Sequence, residues 1–413
     1  MPNVELYPWQ AEALAKMHNG CILDGGVGSG KSRTALAYYF TQNGGNLKPY
    51  KPMKKNAEDL IIITTALKRD KHEWEQELAV YLISTDKKLN NYNNEVIIDS
   101  WNNIDKYVIK ENCFFIFDED HAIGKGSWSK SFIKIAKKNN WIMLSATPGD
   151  KWEDYISVFI ANGFYKNRTE FCNEHLVYSP YIKKYPVVTG YMNTGRLIRL
   201  RSRVLVKMNY DKKTVAHHEY DWVGYDADAY KKVWNDRWDI YKNEPIKEAS
   251  SMCAILRRLV NTDPSRIEWV ANKIMEKRKV IIFYNFDDEL CELRKLGDIC
   301  DIEVAEWNGH KHQPVPEGNN WIYLVQYTAG CEGFNCILTD TIIFFSQSYS
   351  YRTITQAAGR IDRLNTPYTD LYYYHLISRS TIDLSIRKTV FHKKNFNENT
   401  FVGDMFDKDH NHN

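Results

Sequence analysis

The sequence predicts an α/β protein of two tandem domains, each a parallel sheet flanked by helices. The chain has 413 residues, which suggests two or three domains at roughly 150 residues each. Short apolar runs alternate with amphipathic segments, which is the pattern of parallel sheets covered by helices. The runs form two series separated by an irregular stretch, so two sheets fit better than one very large sheet.

The apolar runs are the candidate strands. They lie at 21–23, 60–64, 96–98, 113–117 and 141–144 in the first half, and at 280–283, 303–305, 321–325, 341–345 and 371–375 in the second. The stretch between the series, 165–210, reads as helix, loop and a basic strand. We therefore predict domains at 1–208, with a linker at its end, and at 209–395, followed by a polar tail at 396–413.

Composition narrows the class of protein. Hydrophobic residues make up 43% and charged residues 26% of the chain, a globular balance. The net charge of +3 means that any basic surface must be local. None of the cysteines forms a CxxC pair, which argues against a zinc ribbon and a disulfide scaffold. No run approaches the ~20 apolar residues of a membrane helix, and the N-terminus lacks a signal-peptide pattern, so we expect a cytoplasmic protein without a membrane partner.

A glycine-rich segment follows the first candidate strand and opens a helix-compatible stretch. It fits the pattern G-x-x-x-x-G-K-[ST] with Gly25, Gly26, Val27, Gly28, Ser29, Gly30, Lys31 and Ser32. Backbone N–H groups in such a loop surround phosphate oxygens, the lysine reaches the β- and γ-phosphates, and the hydroxyl binds Mg²⁺. The alternative is a glycine turn with a surface lysine. The context of strand and helix favours a nucleotide site.

A second apolar strand, 113–117, runs directly into Asp118 and Glu119. Asp118 would hold Mg²⁺ through water, and Glu119 would polarise the water that attacks the γ-phosphate. Acidic residues after a strand are common in loops. Together with Lys31 they predict the two halves of one site for ATP hydrolysis.

Three motifs, in this order, resemble motifs II, III and VI of superfamily 2 helicases: the DExH box at 118–121, Ser-Ala-Thr-Pro at 145–148, and QAAGRIDR at 356–363. The resemblance extends from Tyr7 to about Lys388. The segment DEDHAIGKGSWSK at 118–130 is most similar to the Swi/Snf-type branch, and the lack of large insertions resembles compact bacteriophage helicases. One departure is Gly-Asp-Lys at 149–151, where that branch usually has an asparagine.

The resemblance implies two RecA-like lobes and roles for individual residues. Gln10, in the segment YPWQ, would read the adenine edge, although a glutamine at a helix start is the alternative. Gln356 would lie near the attacking water. Arg360 and Arg363 would act as arginine fingers on the γ-phosphate, and the alternative is a pair of surface arginines on a helix.

The resemblance also implies contacts to a nucleic-acid backbone, which carry no sequence information. The candidates are Thr64, Thr65 and Lys68 in motif Ia, Ser100 in motif Ib, and Gly330 and Glu332 in motif V. Gly333 and Asn335 also match positions of motif V. Separately, Arg199, Arg201 and Arg203 would share one face if their segment were a strand. This basic strip could follow a phosphate backbone or be a solvated linker.

The expected function is an ATP- and Mg²⁺-dependent DNA helicase or translocase, acting on single-stranded, forked or duplex DNA. Phage DNA replication, recombination or repair is the implied setting, with proteins of those processes as partners in the host cytoplasm. Three alternatives stay open: a duplex translocase or remodeller that does not separate strands, a helicase directed to RNA, and an idle nucleic-acid-binding module. The six intact candidate catalytic residues argue against the last.

Overall fold

The computed structural model describes residues 4–119, 126–146, 148–149, 151–179, 187–210, 212–330, 334 and 336–392. The chain divides into two compact units, the first ending at 211 and the second beginning at Lys212. Each unit contains one six-stranded sheet whose strand pairs are all parallel. The predicted fold class, α/β with parallel sheets flanked by helices, is confirmed.

The first unit has a sheet of order β3-β2-β4-β5-β1-β8 and a small antiparallel pair, β6 with β7. Its strands are β1 (Ile22–Asp24), β2 (Leu60–Thr64), β3 (Val96–Ser100), β4 (Phe114–Asp118), β5 (Asn140–Ser145), β6 (Leu176–Tyr178), β7 (Val188–Tyr191) and β8 (Leu205–Lys207). Its helices are α1 (Pro8–Lys16), α2 (Lys31–Gln42), α3 (Ala66–Asp70), α4 (Glu73–Ala79), α5 (Ser127–Ala136), α6 (Ile156–Ala161), α7 (Arg168–His175) and α8 (Thr194–Val204), with 3₁₀ helices at Trp101–Tyr107 and Trp152–Tyr155.

The second unit has a sheet of order β13-β14-β12-β15-β16-β9 and a two-stranded antiparallel pair, β10 with β11. Its strands are β9 (Val215–Val223), β10 (Trp238–Asp239), β11 (Glu244–Pro245), β12 (Lys279–Tyr284), β13 (Glu303–Trp307), β14 (Trp321–Gln326), β15 (Thr341–Phe344) and β16 (Asp370–Ser378). Its helices are α9 (Ala227–Asp236), α10 (Ala249–Asn261), α11 (Pro264–Lys277), α12 (Asp287–Arg294), α13 (Leu296–Cys300), α14 (Tyr327–Gly330), α15 (Tyr351–Ala358) and α16 (Thr381–Phe391).

The central strands of both sheets are apolar because helices cover both of their faces. Every residue of β2 and β4 is buried, and so is every residue of β12 after Lys279. Two apolar clusters occupy the opposite faces of the first sheet, one of them containing Leu60 and the other Ile61. Among the described residues, no helix combines the length and apolar character needed to cross a membrane.

The basic strip was predicted wrongly as a strand, because it lies in α8. Leu197, Leu200 and Val204 are buried at helical spacing. Residues two apart on a helix lie about 200° apart around its axis, so Arg201 does not share a face with Arg199 and Arg203. The guanidinium of Arg201 lies 5.0 Å from the ring centre of Trp152.

Candidate active site

The phosphate loop lies between β1 and α2, at the carboxyl edge of the first sheet. Gly28 and Gly30 adopt positive φ angles of 81° and 82°, which glycine reaches without steric cost. A Cβ on Gly30 would also lie 2.2 Å from Nε2 of Gln10. The N–H of Gly25 donates to the carbonyl of Ser145 at 3.1 Å. The first residue of the loop is therefore fixed to the end of β5, where the motif resembling motif III begins.

Lys31 begins α2 and turns its side chain back into the loop. Its Nζ donates to the carbonyls of Gly25 at 2.6 Å and Gly26 at 3.0 Å. Burial lowers the pKa of Lys31 to about 8, although Glu119 and Asp118 attract its charge and partly offset that effect. The charges of Asp118 and Glu119, at the end of β4, therefore act on the charge of Lys31. Their joint role in ATP hydrolysis stays a prediction.

Gln10 connects the start of α1 to the phosphate loop. Its Oε1 accepts from the N–H of Tyr7 at 2.9 Å, and its Nε2 donates to the carbonyl of Gly30 at 3.4 Å. The side chain is buried. This arrangement matches the alternative of a glutamine at a helix start, and reading of adenine by Gln10 stays a prediction.

Aromatic residues beside the loop were not singled out from the sequence. The indole N–H of Trp9 donates to the carbonyl of Ser29 at 3.2 Å. The rings of Tyr7 and Trp9 stack with centres 4.5 Å apart, and Tyr210 packs against Trp9 at 5.1 Å. Tyr7 remains 48% exposed. The available signal was the pair of aromatics that precedes Gln10 in YPWQ.

Asp118 is the last residue of β4 and is almost fully buried. Its Oδ2 accepts hydrogen bonds from Thr64 Oγ1 at 2.8 Å, Lys68 Nζ at 2.9 Å and Trp74 Nε1 at 3.2 Å. Its backbone carbonyl accepts from Trp101 Nε1 at 2.8 Å. Side chains from three other elements therefore fix the orientation of this carboxylate.

Glu119 follows with φ of 61°, a conformation that costs energy in residues other than glycine and that clusters at functional sites. Its Oε1 accepts from Lys68 Nζ at 3.2 Å. Burial opposes a charge on Lys68, but attraction to Asp118 and Glu119 outweighs burial and raises its pKa. The rest of the DExH box, Asp120 and His121, lies outside the described residues, as does Thr147.

The residues fit a bound Mg²⁺ ion. The Ser32 hydroxyl and the Asp118 carboxylate are oxygen donors, which Mg²⁺ prefers. In the described part of the chain, no group of three or more His, Cys, Asp or Glu side chains could hold a metal ion. A Mg²⁺ ion here would therefore be shared with nucleotide phosphates, as is usual for this cation.

The predicted nucleic-acid residues of the first unit lie at the ends of β2 and β3. Thr64 is fully buried, and its hydroxyl donates to Asp118. Thr65 caps α3 by accepting from the N–H of Lys68 at 3.3 Å. The hydroxyl of Ser100 accepts from Arg69 Nη1 at 3.4 Å. In this arrangement Thr64 bonds Asp118, and Lys68 bonds both Asp118 and Glu119. Contact of these residues with a nucleic-acid backbone stays a prediction.

The second unit brings together the segments that resemble motifs V and VI. Arg360 is buried and donates from Nη1 to the carbonyl of Phe334 at 3.0 Å, while the N–H of Cys336 donates to the carbonyl of Arg360 at 3.0 Å. Gln356 is buried in α15, and Arg363 is partly exposed. Because Arg360 is buried, it does not fit the alternative of a surface arginine on a helix. The finger role stays a prediction.

Gly330 ends α14 with no room for a side chain, since a Cβ would lie 1.9 Å from Cγ1 of Val325. Glu332, Gly333 and Asn335 lie outside the described residues. Asp362, inside QAAGRIDR, accepts hydrogen bonds from Lys212 and, at 2.8 Å, from Thr214. These hydrogen bonds hold the first residues of the second unit next to Asp362, the neighbour of Arg363 in the chain.

A basic cavity of about 730 Å³ adjoins β8 in the first unit. The cationic residues that line it are Lys16, Arg201, Arg203 and Lys207, together with His18. Asp24 and Gly149 also line the cavity, so it reaches the strand end that leads into the phosphate loop. Of the three arginines predicted on one strand, Arg201 and Arg203 line this cavity from α8, whereas Arg199 does not line it.

Comparisons with known proteins give structural likenesses but no family. No protein-family model matches the sequence, and no curated protein matches it. Among solved structures, the chain is similar to the Sulfolobus solfataricus SWI2/SNF2 ATPase core in complex with dsDNA, with 18% identity over 95% of this chain and 92% of that chain, and a TM-score of 0.42. At this TM-score the likeness carries no argument about function, which rests on the site itself.

Proposed function

We propose that this protein is an ATP-driven motor of superfamily 2, similar to the Swi/Snf branch, that couples ATP hydrolysis to movement along DNA. The observation that carries the proposal is the position of the phosphate loop after β1 and of Asp118 and Glu119 at the end of β4, which lie at the same carboxyl edge of the first sheet. A phosphate loop opposite two acidic residues at a strand end is the arrangement required for hydrolysis of a nucleoside triphosphate.

Each candidate residue would have a separate role in ATP hydrolysis. Backbone N–H groups of the loop and Lys31 would bind the phosphates, and Ser32 and Asp118 would hold Mg²⁺. Bound Mg²⁺ would neutralise charge on the phosphate oxygens. Glu119 would orient the attacking water and accept its proton. Arg360 and Arg363 would stabilise the negative charge that develops on the γ-phosphate, an effect of about 10³–10⁵ in rate in other nucleotide hydrolases.

DNA is the proposed polymer because of the Swi/Snf resemblance in the sequence. The basic cavity beside β8 supplies local positive charge that the net charge of +3 does not reveal. A role in phage DNA replication, recombination or repair rests on the resemblance to compact phage helicases. Translocation on duplex DNA without strand separation is the second candidate.

The test is the steady-state ATPase rate without nucleic acid and then with single-stranded DNA, duplex DNA and RNA. We expect stimulation by DNA, and Lys31→Ala should lose nucleotide binding and hydrolysis together. Unwinding of forked DNA would then separate a helicase from a duplex translocase. Equal, unstimulated hydrolysis with every polymer would contradict the proposed motor, and stimulation by RNA alone would contradict DNA as its track.

A further inference from the structure

Helix α3 follows β2 and carries two consecutive basic residues, Lys68 and Arg69, whose side chains reach the ends of the neighbouring strands β4 and β3. Lys68 reaches the end of β4, where its Nζ lies 2.9 Å from Asp118 Oδ2 and 3.2 Å from Glu119 Oε1. The lysine thus bridges the carboxylate proposed to hold Mg²⁺ and the carboxylate proposed to polarise water. Its side chain is 23% exposed, so solvent screens these ion pairs only partly.

The Lys68 bridge offsets the electrostatic repulsion between the two carboxylates. Asp118 and Glu119 are neighbours in the chain and carry like charges, which repel each other when both point into one site. Glu119 must also keep the left-handed backbone conformation. A cation that bonds both carboxylates removes the repulsion and fixes the distance between their oxygens.

The helix that carries Lys68 is itself held in place. Thr65 caps its first turn. Arg69, the next residue, donates from Nη1 to Asp99 Oδ1 at 3.2 Å, on the far side of β2 from β4. Asp99 in turn accepts from the hydroxyl of Tyr107 at 2.8 Å. Lys68 is therefore presented from a backbone fixed on both sides, which is the condition for holding another group in a defined position.

We propose that Lys68 is a positioning residue for ATP hydrolysis, which holds Asp118 and Glu119 in the geometry needed for metal binding and water activation. This inference rests on the proposed function. It differs from the sequence expectation for Lys68, which was contact with a nucleic-acid backbone. The two roles predict different defects in a Lys68 variant, so one set of measurements can distinguish them.

The experiment compares the wild-type protein with Lys68→Met, Lys68→Gln, Lys68→Arg and a matched control, Lys134→Met, an exposed lysine on α5. Four quantities are measured for each: kcat and KM for ATP at saturating DNA, ADP affinity with Mg²⁺ and with EDTA, DNA affinity, and the melting temperature. Groups that orient metal ligands contribute about 10–100-fold to metal affinity or activity. We expect kcat of Lys68→Met to fall by that factor, with KM for ATP rising no further than the roughly tenfold loss expected for Mg²⁺-dependent ADP affinity.

The metal and DNA readouts test the role independently of turnover. The gain in ADP affinity from Mg²⁺ should shrink about tenfold in Lys68→Met, while DNA affinity should stay within about twofold of wild type. Lys68→Arg should recover part of kcat because it keeps a charged donor. If Lys68→Met fails to fold, Lys68→Gln, which keeps a neutral donor, carries the same expectations. Lys134→Met should match wild type throughout.

Two results would overturn the inference. A kcat of Lys68→Met within twofold of wild type would show that the carboxylates do not need the lysine. A loss of DNA affinity with unchanged Mg²⁺ dependence of ADP binding would make Lys68 a nucleic-acid contact instead. In both cases wild-type hydrolysis leaves the proposed function intact, whereas a wild-type protein that neither binds ADP with Mg²⁺ nor hydrolyses ATP would refute both.

Discussion

Glu119 unites a carboxylate with a backbone conformation that non-glycine residues seldom adopt. We predict that Glu119→Gln keeps nucleotide affinity, because the phosphate-binding loop is unchanged, and loses hydrolysis by about 10²-fold or more, because an amide is not a general base. Titration with a fluorescent ATP analogue and a steady-state assay check the two parts. Hydrolysis near the wild-type rate would move the role of base to another residue.

A second residue predicts how stability depends on pH. Burial lowers the pKa of His375 to about 3, with His218 and Arg387 contributing in the same direction. Its Nε2 lies 3.0 Å from Nδ1 of His218. In the unfolded chain His375 binds a proton as pH falls through about 6.5, whereas in the folded chain it stays neutral at that pH. Stability is therefore complete above that pH and is lost as pH falls from about 6.5 towards 3.

From pH 7.5 to 5.5, His375 should cost about 1 kcal/mol of unfolding free energy. Urea unfolding of the wild-type protein and His375→Gln at both pH values measures the difference, which should be smaller in the variant. The same pH dependence in both proteins would show that His375 does not cause it.

At the scale of elements, Arg266 of α11 joins several parts of the second unit. It is fully buried, pairs with Asp383 of α16 at 2.7 Å, and donates to the carbonyls of Val260 at 3.0 Å and Leu376 at 3.3 Å. We predict that Arg266→Met destabilises the protein by about 3–5 kcal/mol, since it leaves a buried carboxylate without its cation.

Chemical denaturation measures that loss, with Glu268→Gln on the exposed side of the same helix as the control, expected within about 0.5 kcal/mol of wild type. Adding Asp383→Asn to Arg266→Met should recover part of the stability because the unpaired charge is then removed. A cost below 1 kcal/mol for Arg266→Met would show that water or another residue compensates for the missing cation.

Elements also show what the sequence could predict. All ten candidate strands are present, because buried central strands are apolar and therefore visible as runs. The edge strands β8 and β9 were missed. β8 has three residues, and β9, with the sequence VAHHEYDWV, is largely exposed and polar, so neither gives an apolar run. In α8 the alternating arginines suggested a strand, whereas the helical spacing of Leu197, Leu200 and Val204 determined the element.

The same limit applies to the site. The glycine pattern and the acidic pair were visible because their chemistry depends on local spacing. Contacts between residues far apart in the sequence could not be predicted. Examples are the ion pair of Lys68 with Asp118 and the hydrogen bond from Trp9 to Ser29. These depend on which strands become neighbours, and β2 and β4 are neighbours although β3 lies between them in the chain.

For the whole molecule, two units with separate apolar clusters predict that unfolding is not one all-or-none transition. Calorimetry should resolve more than one transition, and Arg266→Met should lower the one that belongs to the second unit while the other stays in place. A single transition that shifts as a whole in the variant would show that the units unfold together.

The bond from Trp9 to the phosphate loop also has an optical consequence. The indole reports on its surroundings through fluorescence, and this one donates to the loop carbonyl of Ser29 while its ring stacks on the half-exposed Tyr7. Any rearrangement of the loop alters the environment of that indole. The chain has twelve tryptophans, so the emission of Trp9→Phe is subtracted from that of the wild type to remove the contribution of the other eleven. The difference reports on the phosphate loop without an added label.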